Sequence, residues 1–66
     1  MSVAKVIEIM ARSEKGFDDA IEQGLAKASD SVHNIKSAWV KDHEVVVSDG
    51  KITGWKVHLK VTFVLD

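Results

Sequence analysis

Trp55-Lys56-Val57-His58-Leu59-Lys60-Val61-Thr62-Phe63 alternates apolar and polar residues without a break, the period of a strand whose two sides meet different surroundings. The odd-numbered side, Trp55, Val57, Leu59, Val61 and Phe63, needs a core. The even-numbered side must meet water, a ligand or another subunit. Asp49-Gly50, just upstream, is the strongest short-range hairpin signal in the chain. Before it, Ile35 to Val47 carries β-branched weight in Val40, Val45, Val46 and Val47. The C-terminal half therefore reads as one long antiparallel hairpin.

The pattern changes towards the N-terminus. Val6, Ile7, Ile9 and Met10 mark a strand from about Ala4 to Ala11 with apolar character on both faces, which predicts cover on both sides. Ser13 offers an N-cap oxygen and Glu14 a first-turn negative charge, so a helix is expected to begin there. Phe17, Ala20, Ile21, Leu25, Ala28 and Val32 recur at three- and four-residue steps and form one apolar stripe. Gly24 lies inside that helix, where it costs about 1 kcal/mol relative to alanine; close approach of helix and sheet explains its presence. His33-Asn34 closes the helix, because asparagine tolerates the left-handed conformation. The order is β-α-β-β. The first two strands, joined through a helix, can share a sheet most simply if the last strand lies between them. The fold class is α+β, a bent three-stranded antiparallel sheet wrapped around one helix, with residues 1–66 forming a single domain.

A chain of 66 residues buries only about 60% of the surface its unfolded form exposes, so a monomer is marginal. With no cysteine, neither a disulfide nor a thiolate metal site can staple it. Self-association is the remaining ordinary device. Nine Lys and Arg stand against ten Asp and Glu, which leaves no basic footprint for nucleic acid and no polybasic run for a membrane surface. The interrupted apolarity of Met1–Glu8 is not that of a signal peptide or a membrane span, and a cytoplasmic location is expected.

With Ser48 facing Lys51 across the turn, an unbroken ladder sets His43 opposite Lys56, Lys41 opposite His58, Trp39 opposite Lys60 and Ser37 opposite Thr62. A bulge at Gly54 would shift that register. The polar face then presents Trp39 among lysines and histidines. So large a ring in that setting marks a subunit contact or a stacking surface for a planar ligand. His33, His43 and His58 lack the spacing of a zinc site. Asp42 and Glu44 alternate with His43 and are candidate oxygen ligands for a calcium or magnesium ion shared between subunits. No nucleophile elbow, phosphate loop or placed carboxylate pair points to an enzyme, so no catalytic residue is assigned.

Taken together, the strand ending before Ser13, the segment Ser13-Glu14-Lys15-Gly16-Phe17-Asp18-Asp19-Ala20-Ile21, the strand Ala38-Trp39-Val40-Lys41-Asp42 and the closing Leu59-Lys60-Val61-Thr62-Phe63-Val64-Leu65 resemble the dodecins. The resemblance implies a homododecameric hollow shell of cubic symmetry, which in many members stores flavins (riboflavin, FMN or FAD) as stacked pairs between subunits. In those members a tryptophan on the second strand stacks on the flavin and a glutamine on the third strand binds its pyrimidine edge. Their positions fall here on Ser37 and Lys56, and Trp39 stands where an acidic residue is usual. An amide donates and accepts, whereas an ammonium only donates. Loss of the ring removes roughly 1.5–3 kcal/mol of apolar burial and about 1 kcal/mol of stacking. The resemblance thus implies flavin binding weakened by tens- to about a thousandfold at Ser37 and Lys56, with Trp39 as a displaced stacking surface. Some dodecin-like proteins that lack the stacking tryptophan have been associated with cations instead, which implies Asp42 and Glu44 as the alternative site.

Overall fold

The strand with the strict alternation takes the centre of the sheet. In the computed structural model, which describes residues 2–65, the elements are β1 (Val3–Ser13), α1 (Phe17–Ser29), β2 (Ile35–Ser48) and β3 (Lys51–Leu65). The sheet order is β1-β3-β2 with both pairings antiparallel. Asp49 (φ 50°) and Gly50 (φ 74°) both have positive φ, as a two-residue type I′ hairpin turn requires.

Helix α1 packs on β1 and β3. Val57, Leu59 and Val61 of β3 and Ala20 of α1 are fully buried, with Ile7, Ile9, Ala11, Phe17, Ile21, Leu25, Ile35 and Ala38 packed around them. Trp55 and Phe63, at the two ends of the expected core row, are only half-buried, because a 13-residue helix spans about 20 Å at 1.5 Å per residue and cannot cover both. In the single chain β1 is covered on one side only, contrary to the two-sided cover its composition predicts: Val6 and Met10 remain 53% and 63% exposed. No residue of β2 is buried.

Gly24 is where helix and sheet meet. A methyl group added there would lie 2.9 Å from the Ala11 Cβ and 3.6 Å from Leu59 Cδ1. Alanine would gain about 1 kcal/mol of helix propensity, against roughly 1–3 kcal/mol for overpacking a contact that only a shift of the helix relieves. Gly24→Ala should therefore lower stability by about 1 kcal/mol, read as a fall in the urea midpoint. Combining it with Ala11→Gly should recover most of the loss.

Ser13 does not cap the helix. It is the last residue of β1 and is buried; its Oγ accepts from the Lys15 N–H (2.9 Å) and donates to Asp19 Oδ2 (2.5 Å). The hydroxyl thus builds a turn over Glu14–Gly16 and ties it to the first helical turn, where Asp18 and Asp19 supply the negative charge expected of Glu14. The helix also ends before Val32. Asn34 does take the left-handed conformation (φ 62°), at the entrance to β2, where its carbonyl accepts from the Val64 N–H.

The hairpin register departs from an unbroken ladder in a compensated way. Ser48 faces Lys51, Trp39 faces Lys60 and Ser37 faces Thr62 as expected, but Glu44, not His43, faces Lys56, and Asp42, not Lys41, faces His58. Thr53 is an extra residue on β3, next to the glycine that signalled a bulge, and Lys41 is an extra residue on β2 that restores the register; a third irregularity, at Lys36, falls at the start of β2. Between the two bulges every β2 side chain changes sides relative to the unbroken ladder. His43 therefore turns to the helix side, its ring centroid 4.9 Å from that of Phe17, while Asp42 and Glu44 turn outward.

Candidate functional site

The face of the sheet away from the helix is built of cross-strand rows, because paired residues in an antiparallel sheet share a side. From one end to the other the rows are Val6–Thr62–Ser37, Glu8–Lys60–Trp39, Met10–His58–Asp42 and Arg12–Lys56–Glu44. The alternation of β3 places Lys56, His58, Lys60 and Thr62 along the middle of this face. The inner side of the same strand is locked in the core, so the polar row cannot rotate away.

Charge is organised around Glu8. The His58 Nε2–H donates to its carboxylate at 2.8 Å, and the Lys41 and Lys60 ammonium groups lie at 3.9 and 3.8 Å. The hydrogen bond from His58, then the charge of Lys41, hold the Glu8 carboxyl below the usual glutamate value of 4.5. Sequence reasoning passed over Glu8, although its alternation with Ile7 and Ile9 already sets it apart from the core. A depressed carboxyl pKa contributes stability that is present above the unfolded value and lost as pH falls through the folded one. The stability difference between the parent and Glu8→Gln should thus shrink as the pH falls below about 4.5, measured as urea midpoints across an acid series.

Trp39 is 62% exposed, with the Lys60 ammonium 5.2 Å from its ring centroid, a cation–π contact. At the far end Lys56 meets Glu44 at 3.2 Å. A groove of about 310 Å³ opens there, lined on the outer side by Met10, Asp42, Glu44, Lys56 and His58. Arg12 lies instead across Gly54, where an added methyl would come within 2.6 Å of its Nε.

The structure does not bring Ser37 and Lys56 together within one chain. Ser37 faces Thr62, six residues along β3 from Lys56, which at about 3.4 Å per residue is about 20 Å. Trp39, opposite Lys60, is nearer to Lys56 but still about 14 Å away. Asp42 and Glu44 share the outer face, but Glu44 is occupied by Lys56, and among the described residues no group of three or more His, Cys, Asp or Glu is gathered to hold a metal ion. His33, His43 and His58 lie respectively in the helix–β2 connection, against Phe17 and against Glu8. Among the described residues, no helix is long and apolar enough to cross a membrane.

The whole arrangement has counterparts among known proteins. A model of the dodecin family matches residues 3–66. The calcium dodecin of Mycobacterium tuberculosis is 39% identical over 64 residues, spanning 96% of this chain and 89% of the relative. Its crystal structure, described as calcium chelating with a novel calcium-binding site, superposes with a TM-score of 0.84 at 33% identity over 98% of this chain and 93% of that one. The dodecin of Streptomyces davaonensis gives 0.93 at 35% identity, over 98% and 96%. A Thermus thermophilus dodecin variant gives 0.94 at 27% identity, over 100% and 98%. With the sheet order, the single crossing helix and nearly the full length of the chain shared with these proteins, the chain belongs to the dodecin family.

Proposed function

We propose that this single-domain chain works as a homo-oligomeric small-ligand binding and storage protein rather than as an enzyme, assembled as a dodecamer, with flavin as the inherited ligand held between subunits. The observation that carries the reading is the separation of Ser37 from Lys56. Positions about 20 Å apart on one sheet cannot grip one ring system unless a second copy supplies one of them. The uncovered strand β2, exposing Trp39, Val40, Val45 and Val47, supports the same arrangement, since a small core gains most by covering such a surface with another copy.

Quenching of flavin fluorescence on titration into the purified protein tests the ligand. Saturable quenching with release of flavin on denaturation supports storage, and no quenching up to millimolar protein refutes it. Sedimentation at micromolar concentration tests assembly, and a monomer there would sink the oligomeric reading. As a subunit anchor, Trp39 should show itself on truncation: Trp39→Ala should weaken assembly by about 2 kcal/mol or more per contact. An unchanged sedimentation profile and thermal midpoint would reassign the ring to ligand or solvent.

A second reading has its own support. The Lys41 bulge turns Asp42 outward, where its carboxylate has no ion-pair or hydrogen-bond partner among the described residues, and the relative at 39% identity is a calcium dodecin. A shell in which Asp42 and Glu44 of several copies hold a calcium or magnesium ion would show calorimetric uptake of the ion that Asp42→Asn abolishes.

A further inference from the structure

The row Met10–His58–Asp42 crosses the outer face with one residue from each strand. Directly paired residues of an antiparallel sheet hold their Cβ atoms about 4.5–5.5 Å apart, so a thioether and a carboxylate flank the imidazole on its two sides. All three line the same groove. The ring is already fixed: its Nε2–H donates to Glu8 at 2.8 Å. A neutral imidazole that donates from one nitrogen keeps a lone pair on the other, which here is Nδ1. A carboxylate on the far nitrogen is the usual support of a metal-binding histidine, because it sets both the tautomer and the orientation of the ring. Neither flanking group is engaged elsewhere. The Asp42 carboxylate has no partner among the described residues, and Met10 is 63% exposed.

The surrounding charges leave room for a cation. Lys56 is neutralised by Glu44 at 3.2 Å, Lys41 and Lys60 are drawn to Glu8, and Arg12 lies over Gly54, on the far side of Lys56 from this row. Asp42 is thus the carboxylate of the groove left without a counter-charge. We propose that Met10, His58 and Asp42 form a site for a late first-row transition-metal ion, copper ahead of zinc, with Glu8 as the positioning residue for His58. The donor set decides the class of metal. Calcium and magnesium take oxygen ligands, whereas imidazole suits copper and zinc and a thioether favours copper. Copper also leads the divalent series in affinity for mixed donor sites. The sulfur takes the place of the third His, Cys, Asp or Glu that the described residues do not gather. Since one protomer supplies all three donors, the site is independent of what the assembly stores between its subunits and distinct from the calcium or magnesium reading, which uses carboxylates of several copies.

The test titrates copper(II), zinc(II) and calcium(II) chlorides separately into the full-length protein by calorimetry. Saturable uptake of copper is expected, tighter than that of zinc. His58→Gln should abolish it, while His33→Gln and His43→Gln should leave it as in the parent. Glu8→Gln keeps all three donors and removes only the support of the ring, so copper affinity should fall by about 10- to 100-fold; a Glu8 that serves structure alone would leave it unchanged. Met10→Leu, which conserves volume, should reduce the preference for copper over zinc. His58→Gln should also leave any calcium uptake intact, whereas Asp42→Asn should remove both, which separates this site from the cation-binding shell. If the parent takes up neither copper nor zinc, or if His58→Gln binds copper as the parent does, the inference fails and the storage reading is untouched. Should a variant fail to assemble, the electron paramagnetic resonance spectrum of the copper-loaded parent decides: an imidazole nitrogen coupled to the copper supports the site, and a spectrum without one overturns it.

Discussion

Leu59→Ala should unfold the isolated chain or make its folding wholly dependent on assembly. Leu59 is completely buried at the middle of β3, with Val57 and Val61 on either side of it and Gly24 of the helix close enough that an added methyl would touch its Cδ1. Removing a buried leucine down to alanine costs about 2–5 kcal/mol, with the larger values where the surroundings cannot collapse. Collapse is restricted here, because helix and sheet already approach so closely that a methyl added at Gly24 would overlap the Ala11 Cβ. At about 0.05–0.15 kcal/mol per residue, 66 residues hold about 3–10 kcal/mol in total. The expected result in urea unfolding at low concentration is loss of the cooperative native baseline. Leu65→Ala, at a position 47% exposed, should leave the midpoint within about 0.5 kcal/mol of the parent. Equal effects at the two positions would mean that the β3 row is not the core.

That row was legible in the sequence because a strict two-residue period on a strand admits only one sided burial. The Asp49-Gly50 turn and the sheet order followed from equally local physics, the first from the need for positive φ at both turn residues, the second from the crossover helix. The bulges at Thr53 and Lys41 were much less readable. Gly54 marked the neighbourhood of one, but nothing in the identity of Lys41 announces the other, since an extra residue on an edge strand is set by how the whole hairpin twists. The consequence for function is large. A one-residue offset moves every side chain between the bulges to the opposite face, so His43 left the outer face while Asp42 and Glu44 came onto it. Ser13 was ambiguous for a different reason, because the same hydroxyl suits a helix cap and a turn. Its position at the end of a strand decided for the turn. The partners of Glu8 come from residues 33 to 52 positions later in the chain, and no local pattern couples such distances.

Ser37→Trp combined with Lys56→Gln should raise flavin affinity at least tenfold over the parent. Ser37 is exposed on the outer face, opposite Thr62 and in one row with Val6, which is itself 53% exposed, so a large ring can be placed there without displacing buried atoms. A recovered ring contact gives about 1.5–3 kcal/mol of apolar burial and roughly 1 kcal/mol of stacking, and about 1.4 kcal/mol already suffices for a factor of ten. The two changes are about 20 Å apart on one chain and so act on one flavin from different copies, which predicts that their gains vanish together in any variant that cannot assemble. Neither single change need deliver the gain alone, because stacking and edge recognition orient the same ligand and couple. Titration of flavin into the parent, both single variants and the double variant separates these contributions. A double variant that sediments as the parent does yet binds flavin no better would show that no flavin site survives between the subunits, and the cation-binding shell would then be the reading to pursue.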